Sequence, residues 1–174
     1  MKCIYKFIFI TFFFFNFNLL KADKLISYVD MDLLMNSSEA GKSISSQLTA
    51  IHKKTTSEFK KIEEELKKEE SDLIKQKNVI SNEEFEKKLS LLRNKASDYQ
   101  KQRKKSNVSI NEKRMNATSE LVNLIQPILA EYANNNSISI IFQKKNIVIG
   151  KTELDITEDI LKILNENHKK IAIN

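Results

Sequence analysis

His52 and His168 are the only histidines of this 174-residue chain and Cys3 is its only cysteine, too few to build a metal centre or a nucleophilic site. Neither histidine has a second His, a Cys or a carboxylate at metal-ligand spacing, so each reads as a surface or structural residue. The two glycines, Gly41 and Gly150, stand far apart and cannot form a loop that cradles phosphate. No glycine-flanked serine turn is present, and the Asn-x-Ser/Thr tripeptides at Asn107, Asn116 and Asn135 arise by chance in a chain this rich in Asn and Ser. The protein is therefore not expected to be an enzyme or to carry a cofactor. Its residues can, however, bind without covalent chemistry. Residues 101–114 hold Lys101, Arg103, Lys104, Lys105, Lys113 and Arg114 against the single acid Glu112. Such a cluster attracts acidic partners, although it also fits a plain solvated helix face. Lys101, Arg103, Lys104 and Lys105 are the candidate binding charges, with Phe59, Ile62 and Leu66 as candidate apolar contacts on the facing stretch.

The elements that must carry these residues are long helices. Between Gly41 and Pro127 there is neither glycine nor proline, so this charged stretch reads as helix wherever its apolar spacing allows. Ser81 followed three positions later by Glu84 is a capping box, which starts a new helix and ends its predecessor near residues 77–80. The stretch thus predicts an antiparallel hairpin, residues 41–127, with its tip near 78–81. Arms of about 35 to 45 residues would be roughly 50 to 65 Å long. The seam of the first arm runs Ile44, Leu48, Ile51, Thr55, Phe59, Ile62, Leu66, Glu69, Leu73, Gln76, Ile80, a mean step of 3.6 residues. That period fits an unsupercoiled helix better than a strict heptad. The return arm offers Phe85, Leu89, Leu92, Ala96 and Tyr99 and then becomes polar from 101 to 116, so the arms should pack in patches, with Ile62 near Tyr99 and Phe59 near Arg103.

The first residues predict export. Lys2 and Lys6 precede an apolar run at 7–20, and Ala22 offers a small residue for cleavage before Asp23. This pattern, residues 1–22, is that of a signal peptide; the run is shorter than the roughly 18 to 20 apolar residues of a spanning helix. Loss of Lys2, Lys6 and Lys21 from the 29 basic residues, against 23 acidic ones, leaves a net charge near +3 and no cysteine. Export also argues against nucleic acid as a partner.

A small β-rich body is expected from both flanks, residues 23–40 and 128–174. Residues 24–30 alternate as a strand, with Ile26 and Tyr28 on one face and Leu25, Ser27 and Val29 on the other. Short helical turns should follow through 31–36. Residues 137–142 read as a second strand and 147–149 as a third, joined by a polar hairpin loop at 143–146. Asp155 as N-cap with Glu158 at N3 should open a final amphipathic helix. A body of about 65 residues is near the size below which one core seldom suffices, so self-association is expected. Ile26, Tyr28, Ile138, Ile140, Phe142, Ile147 and Ile149 are the candidate oligomer core.

An exported chain with a strand ending Tyr28-Val29-Asp30, a long helical hairpin, Ile138-Ser139-Ile140-Ile141-Phe142 and then Asp155-Ile156-Thr157-Glu158-Asp159-Ile160-Leu161 resembles the Skp (OmpH-like) family of periplasmic chaperones. The resemblance implies an α+β, mostly α fold and a homotrimer, in which a β-rich body joins three helical-hairpin arms around a cavity. It also implies an ATP-independent holdase for unfolded outer-membrane proteins, with anionic lipid or lipopolysaccharide as a candidate further partner. Pro127 departs from the pattern and should kink the return helix. The alternative reading is a structural coiled-coil spacer or adaptor of the envelope.

Overall fold

Strands on either side of the long helical region meet as a parallel pair, and that pairing dictates the rest of the topology. The computed structural model describes residues 25–173; the expected leader at 1–22 lies outside them. Strand β1 (Leu25–Val29) pairs with β2 (Ile138–Gln143), with Ile26 opposite Ile140 and Tyr28 opposite Phe142. Parallel strands cannot be joined by a tight hairpin, so the intervening chain forms one crossover. That crossover is helix α1 (Met31–Ser37), helix α2 (Glu39–Gln76) and helix α3 (Asn82–Asn135). After β2 come two 3₁₀ turns, Lys144–Asn146 and Thr152–Leu154, and helix α4 (Thr157–Asn167).

Side-chain caps set the corners. The Asp30 carboxylate accepts from the Leu33 amide at 2.9 Å and starts α1. Ser38 closes α1 by donating its amide to the Leu34 carbonyl, and opens α2 by accepting from the Gly41 amide at 3.0 Å. At the tip, the Ser81 hydroxyl accepts from the Glu84 amide at 3.3 Å, the first bond of the expected box. The Glu84 carboxylate pairs with Lys88 at 3.0 Å instead of reaching back. Helix α3 runs through Pro127 and, at 54 residues, exceeds the length expected of an arm because its last turns belong to the body. It ends at Asn135, where Ser137 takes the left-handed φ of 56° that glycine usually supplies.

One buried cluster joins all the elements. Ala40, Ile44 and Leu48 of α2 face Leu121, Ile125 and Ile128 of α3, with Val29, Leu34, Ile160 and Leu164 closing the centre. On the sheet, Ser27 and Val29 turn into this core while Ile26, Tyr28, Ile140 and Phe142 share the outer face. Tyr132 donates to the Asp159 carboxylate at 2.5 Å, tying α3 to α4; that hydrogen bond and burial push its phenol up to about 12.

Two expectations need correction. Residues 147–149 form no strand, although Ile-Val-Ile is strongly β-prone. The segment instead folds over Tyr28, whose hydroxyl donates to the Lys151 carbonyl at 3.1 Å, and the edge of β1 bridges to Asp155. The second concerns α4, which starts at Thr157 with Asp155 outside it. Asp155 accepts from the Thr157 amide at 3.0 Å and from its hydroxyl, a turn that spans two residues rather than the three of a capping box. The Thr157 hydroxyl also accepts from the Asp30 amide at 2.8 Å, and Lys144 pairs with Asp155 at 3.0 Å. Burial works against ionisation of Asp155, yet the bonds from Thr157 and Lys144 outweigh it and hold its carboxyl below the usual range.

Candidate functional site

The two long helices leave the core together and then pair sparsely. Beyond Leu48 no residue of α2 is buried until Leu73, and α3 buries only Tyr99 and Ile110 between its start and Ala117. The cause lies in the sequence: the polar stretch of the return arm offers the first arm little apolar surface to cover. Most of the expected seam sits half-buried, including Ile51, Thr55, Phe59, Ile62 and Leu66, whereas Glu69 and Ala96 are exposed. Glu69 pairs across the hairpin with Lys95 at 2.6 Å, and Lys88 donates to the Gln76 side chain at 3.0 Å. Polar clasps thus flank the buried Leu73 toward the tip.

Halfway along, an aromatic contact holds the arms. Phe59 meets Tyr99 edge to face, with ring centroids 5.8 Å apart and an interplanar angle of 76°. The Arg103 guanidinium lies 5.7 Å from the Tyr99 ring centroid. The Tyr99 hydroxyl donates to Glu63 at 3.3 Å, and Glu63 accepts from Lys67 at 2.8 Å. The hydrogen bond and charge of Lys67, aided by Tyr99, lower the carboxyl of Glu63, and Glu63 in turn raises the ammonium of Lys67. Around this clasp the arms stand apart. A groove of about 410 Å³ runs past Phe59, Tyr99 and Arg103, and a second of about 550 Å³ continues toward the body beside Leu48 and Arg114. His52 and Ile110 line both, so the two form one run.

The structure divides the candidate binding residues. Phe59, Ile62 and Leu66 face the seam, half-buried, with Ile62 and Leu66 beside Tyr99 and Gln102. Lys101 is paired with Asp98 at 3.3 Å, and Arg103 is drawn onto Tyr99. Lys104 and Lys105 are exposed, and neither forms an ion pair among the described residues. Sequence reasoning did not single out Tyr99, Glu63 and Lys67 as site residues; the i,i+4 spacing of Tyr99 with Arg103 and of Glu63 with Lys67 was the available signal.

The candidate oligomer residues also divide. Tyr28 is buried within its own chain, and Ile138 and Ile147 are half-buried. Ile26, Ile140 and Phe142 remain 46%, 49% and 44% exposed on the outer sheet face, and Ile149 is 91% exposed. Among the described residues, no three His, Cys, Asp or Glu side chains gather as a metal site, and no helix is long and apolar enough to cross a membrane.

In fold, the chain is similar to a crystal structure from Caulobacter crescentus described as a candidate outer membrane chaperone (OmpH-like). The TM-score is 0.83 at 17% identity, over 86% of this chain and 89% of that one. No curated protein matches in sequence. The family model described as outer membrane protein (OmpH-like) matches residues 26–164, from within β1 to within α4. That match takes in the paired strands, both arms and the start of the closing helix, and the chain belongs to the OmpH-like family.

Proposed function

We propose that this protein is a periplasmic holdase chaperone, working without ATP, that shields unfolded outer-membrane proteins between its helical arms before they insert. The observation that carries this reading is the loosely paired hairpin, whose groove is lined by Phe59, Tyr99 and Arg103, with exposed Lys104 and Lys105 following next along α3. A membrane β-barrel protein alternates apolar and polar residues, so before insertion it exposes apolar surface along its whole length. Capturing it calls for many weak contacts, and sparse apolar groups with basic charge supply them for an acidic client. Membership of the OmpH-like family and the likeness to a candidate outer membrane chaperone support the same reading.

Self-association completes the proposal. The outer sheet face presents Ile26, Ile140 and Phe142, and Val148 and Ile149 are exposed as well, apolar surface of the kind that marks an interface. Joining several copies there sets their arms around one cavity, as a trimer on the family resemblance. The leader is cleaved near Ala22 in this scheme, and anionic lipid or lipopolysaccharide is a candidate further partner.

Dilution of a urea-unfolded outer-membrane protein tests the reading. Near-stoichiometric chaperone is expected to suppress light scattering by the client, whereas a spacer or adaptor would leave aggregation unchanged. Replacing Lys104 and Lys105 by glutamine should slow capture of an acidic client and flatten its salt dependence, with partial binding retained at high salt. An unchanged on-rate and salt slope would assign both lysines to a solvated helix face.

A further inference from the structure

The segment after α4 does not trail into solvent. The His168 amide donates to the Leu164 carbonyl at 2.8 Å, and the chain then turns extended and runs back to α2. There the carboxamide of Gln47 engages it twice. Its Nε2 donates to the Ile171 carbonyl at 2.7 Å, and its Oε1 accepts from the Ile173 amide at 3.2 Å. A carbonyl and an amide two residues apart are the pair that one residue of a parallel strand would engage, so Gln47 stands in for a strand partner. Nε2 is also held by the Ser43 hydroxyl at 3.0 Å, which fixes the carboxamide's orientation. Ile171, whose carbonyl takes the first of these bonds, puts its side chain into the same buried cluster as Ile44 and Leu48, at 2% exposure.

The position of this contact gives it a consequence. Leu48 is the last buried residue of α2 before the long unpacked stretch of the arm, so residues 47–48 mark where that helix leaves the body. Upstream, α2 is anchored by the Ser38 cap and by the Asn165 side chain, which accepts from the Glu39 amide at 2.8 Å. We infer that residues 168–173 are an intramolecular strap, buckled by Gln47, that sets the pivot of the first arm and limits its swing. With the strap in place α2 is fixed as far as Leu48. Without it, the helix keeps its anchors at Ser38 and Asn165 and the packing of Ile44 and Leu48 in the core, and loses the Gln47 and Ile171 contacts at its exit. The meaning for client capture, a wider space between arms when the strap is off, rests on the chaperone reading; the strap itself does not.

Hydrogen exchange of the full-length protein and two variants tests the strap directly. Truncation after His168 should speed exchange in α2 at 43–55 by about tenfold while 117–128 of α3 keeps its protection, because the loss is local. Gln47→Leu removes the buckle but leaves Ile171 in place; it should act in the same direction by about threefold, as the loss of two part-buried hydrogen bonds warrants. Should the truncated chain fail to fold, the Gln47→Leu variant decides alone. Unchanged exchange at 43–55 in Gln47→Leu, or an equal rise across α2, α3 and α4, would overturn the strap and leave the segment as ordinary core packing. Failure of the aggregation assay would leave this result untouched.

Discussion

Gly41 stands where no side chain fits. A Cβ built there would lie 1.9 Å from the carbonyl oxygen of Met35, a backbone atom of the helix before it that no rotamer change can move. In an ordinary helix interior, replacing glycine by alanine stabilises by about 0.5 to 1 kcal/mol. Here the sign should reverse, because α1 and α2 must separate at a corner whose other members, Leu34, Ser38 and Ala40, are fully buried. Gly41→Ala is expected to cost roughly 3 kcal/mol, read as a lower urea midpoint with an unchanged slope. A variant as stable as the parent would mean that α1 slides freely on α2. Gly150 has a similar but milder role: its Cβ would meet the edge of the Tyr28 ring at 2.9 Å, so the missing side chain lets residues 147–151 close over that ring.

Helical elements were the most legible part of the chain. Absence of glycine and proline marked the arms, and Ser81 marked the restart, because a cap is a local device whose partners lie within three residues. Ser81→Ala should therefore fray only the start of α3, costing about 0.5 to 2 kcal/mol locally. Hydrogen exchange would show faster amides at the tip with an undisturbed core; a change confined to the body would contradict this. Non-local features were not legible. Ile-Val-Ile at 147–149 carries a strand pattern, but a strand needs a free edge opposite it, and β1 gives its second edge to Asp155. The α4 start was misplaced because Asp155 and Thr157 serve Lys144 and Asp30, residues remote in sequence. At the site the basic run was plain to read, while its division was not. Whether Arg103 faces solvent or Tyr99 depends on how two helices rotate against each other, which no single helix encodes.

At the scale of the whole molecule, the inner face of the sheet is satisfied by the chain's own helices, and the outer face is covered only at Tyr28. Ser27 and Val29 are buried at 2% each, while Ile26, Ile140 and Phe142 stay about half exposed on the opposite face. This asymmetry makes Ile140 a selective probe. Within one chain it is already half exposed, so Ile140→Asp should cost folding only strand propensity and partial burial, about 1 to 2 kcal/mol. In an assembly covering that face, the same carboxylate would be desolvated without a partner in every copy, at a cost of several kcal/mol. The variant is therefore expected to keep the helical circular dichroism of the parent while light scattering at micromolar concentration shifts from oligomer to monomer. A matched change at exposed Lys145, Lys145→Asp, should leave assembly intact, which separates loss of apolar contact from a general effect of charge. If Ile140→Asp retained the parent's mass, the outer face would lie outside the interface, and the arms of neighbouring copies could not be arranged around it.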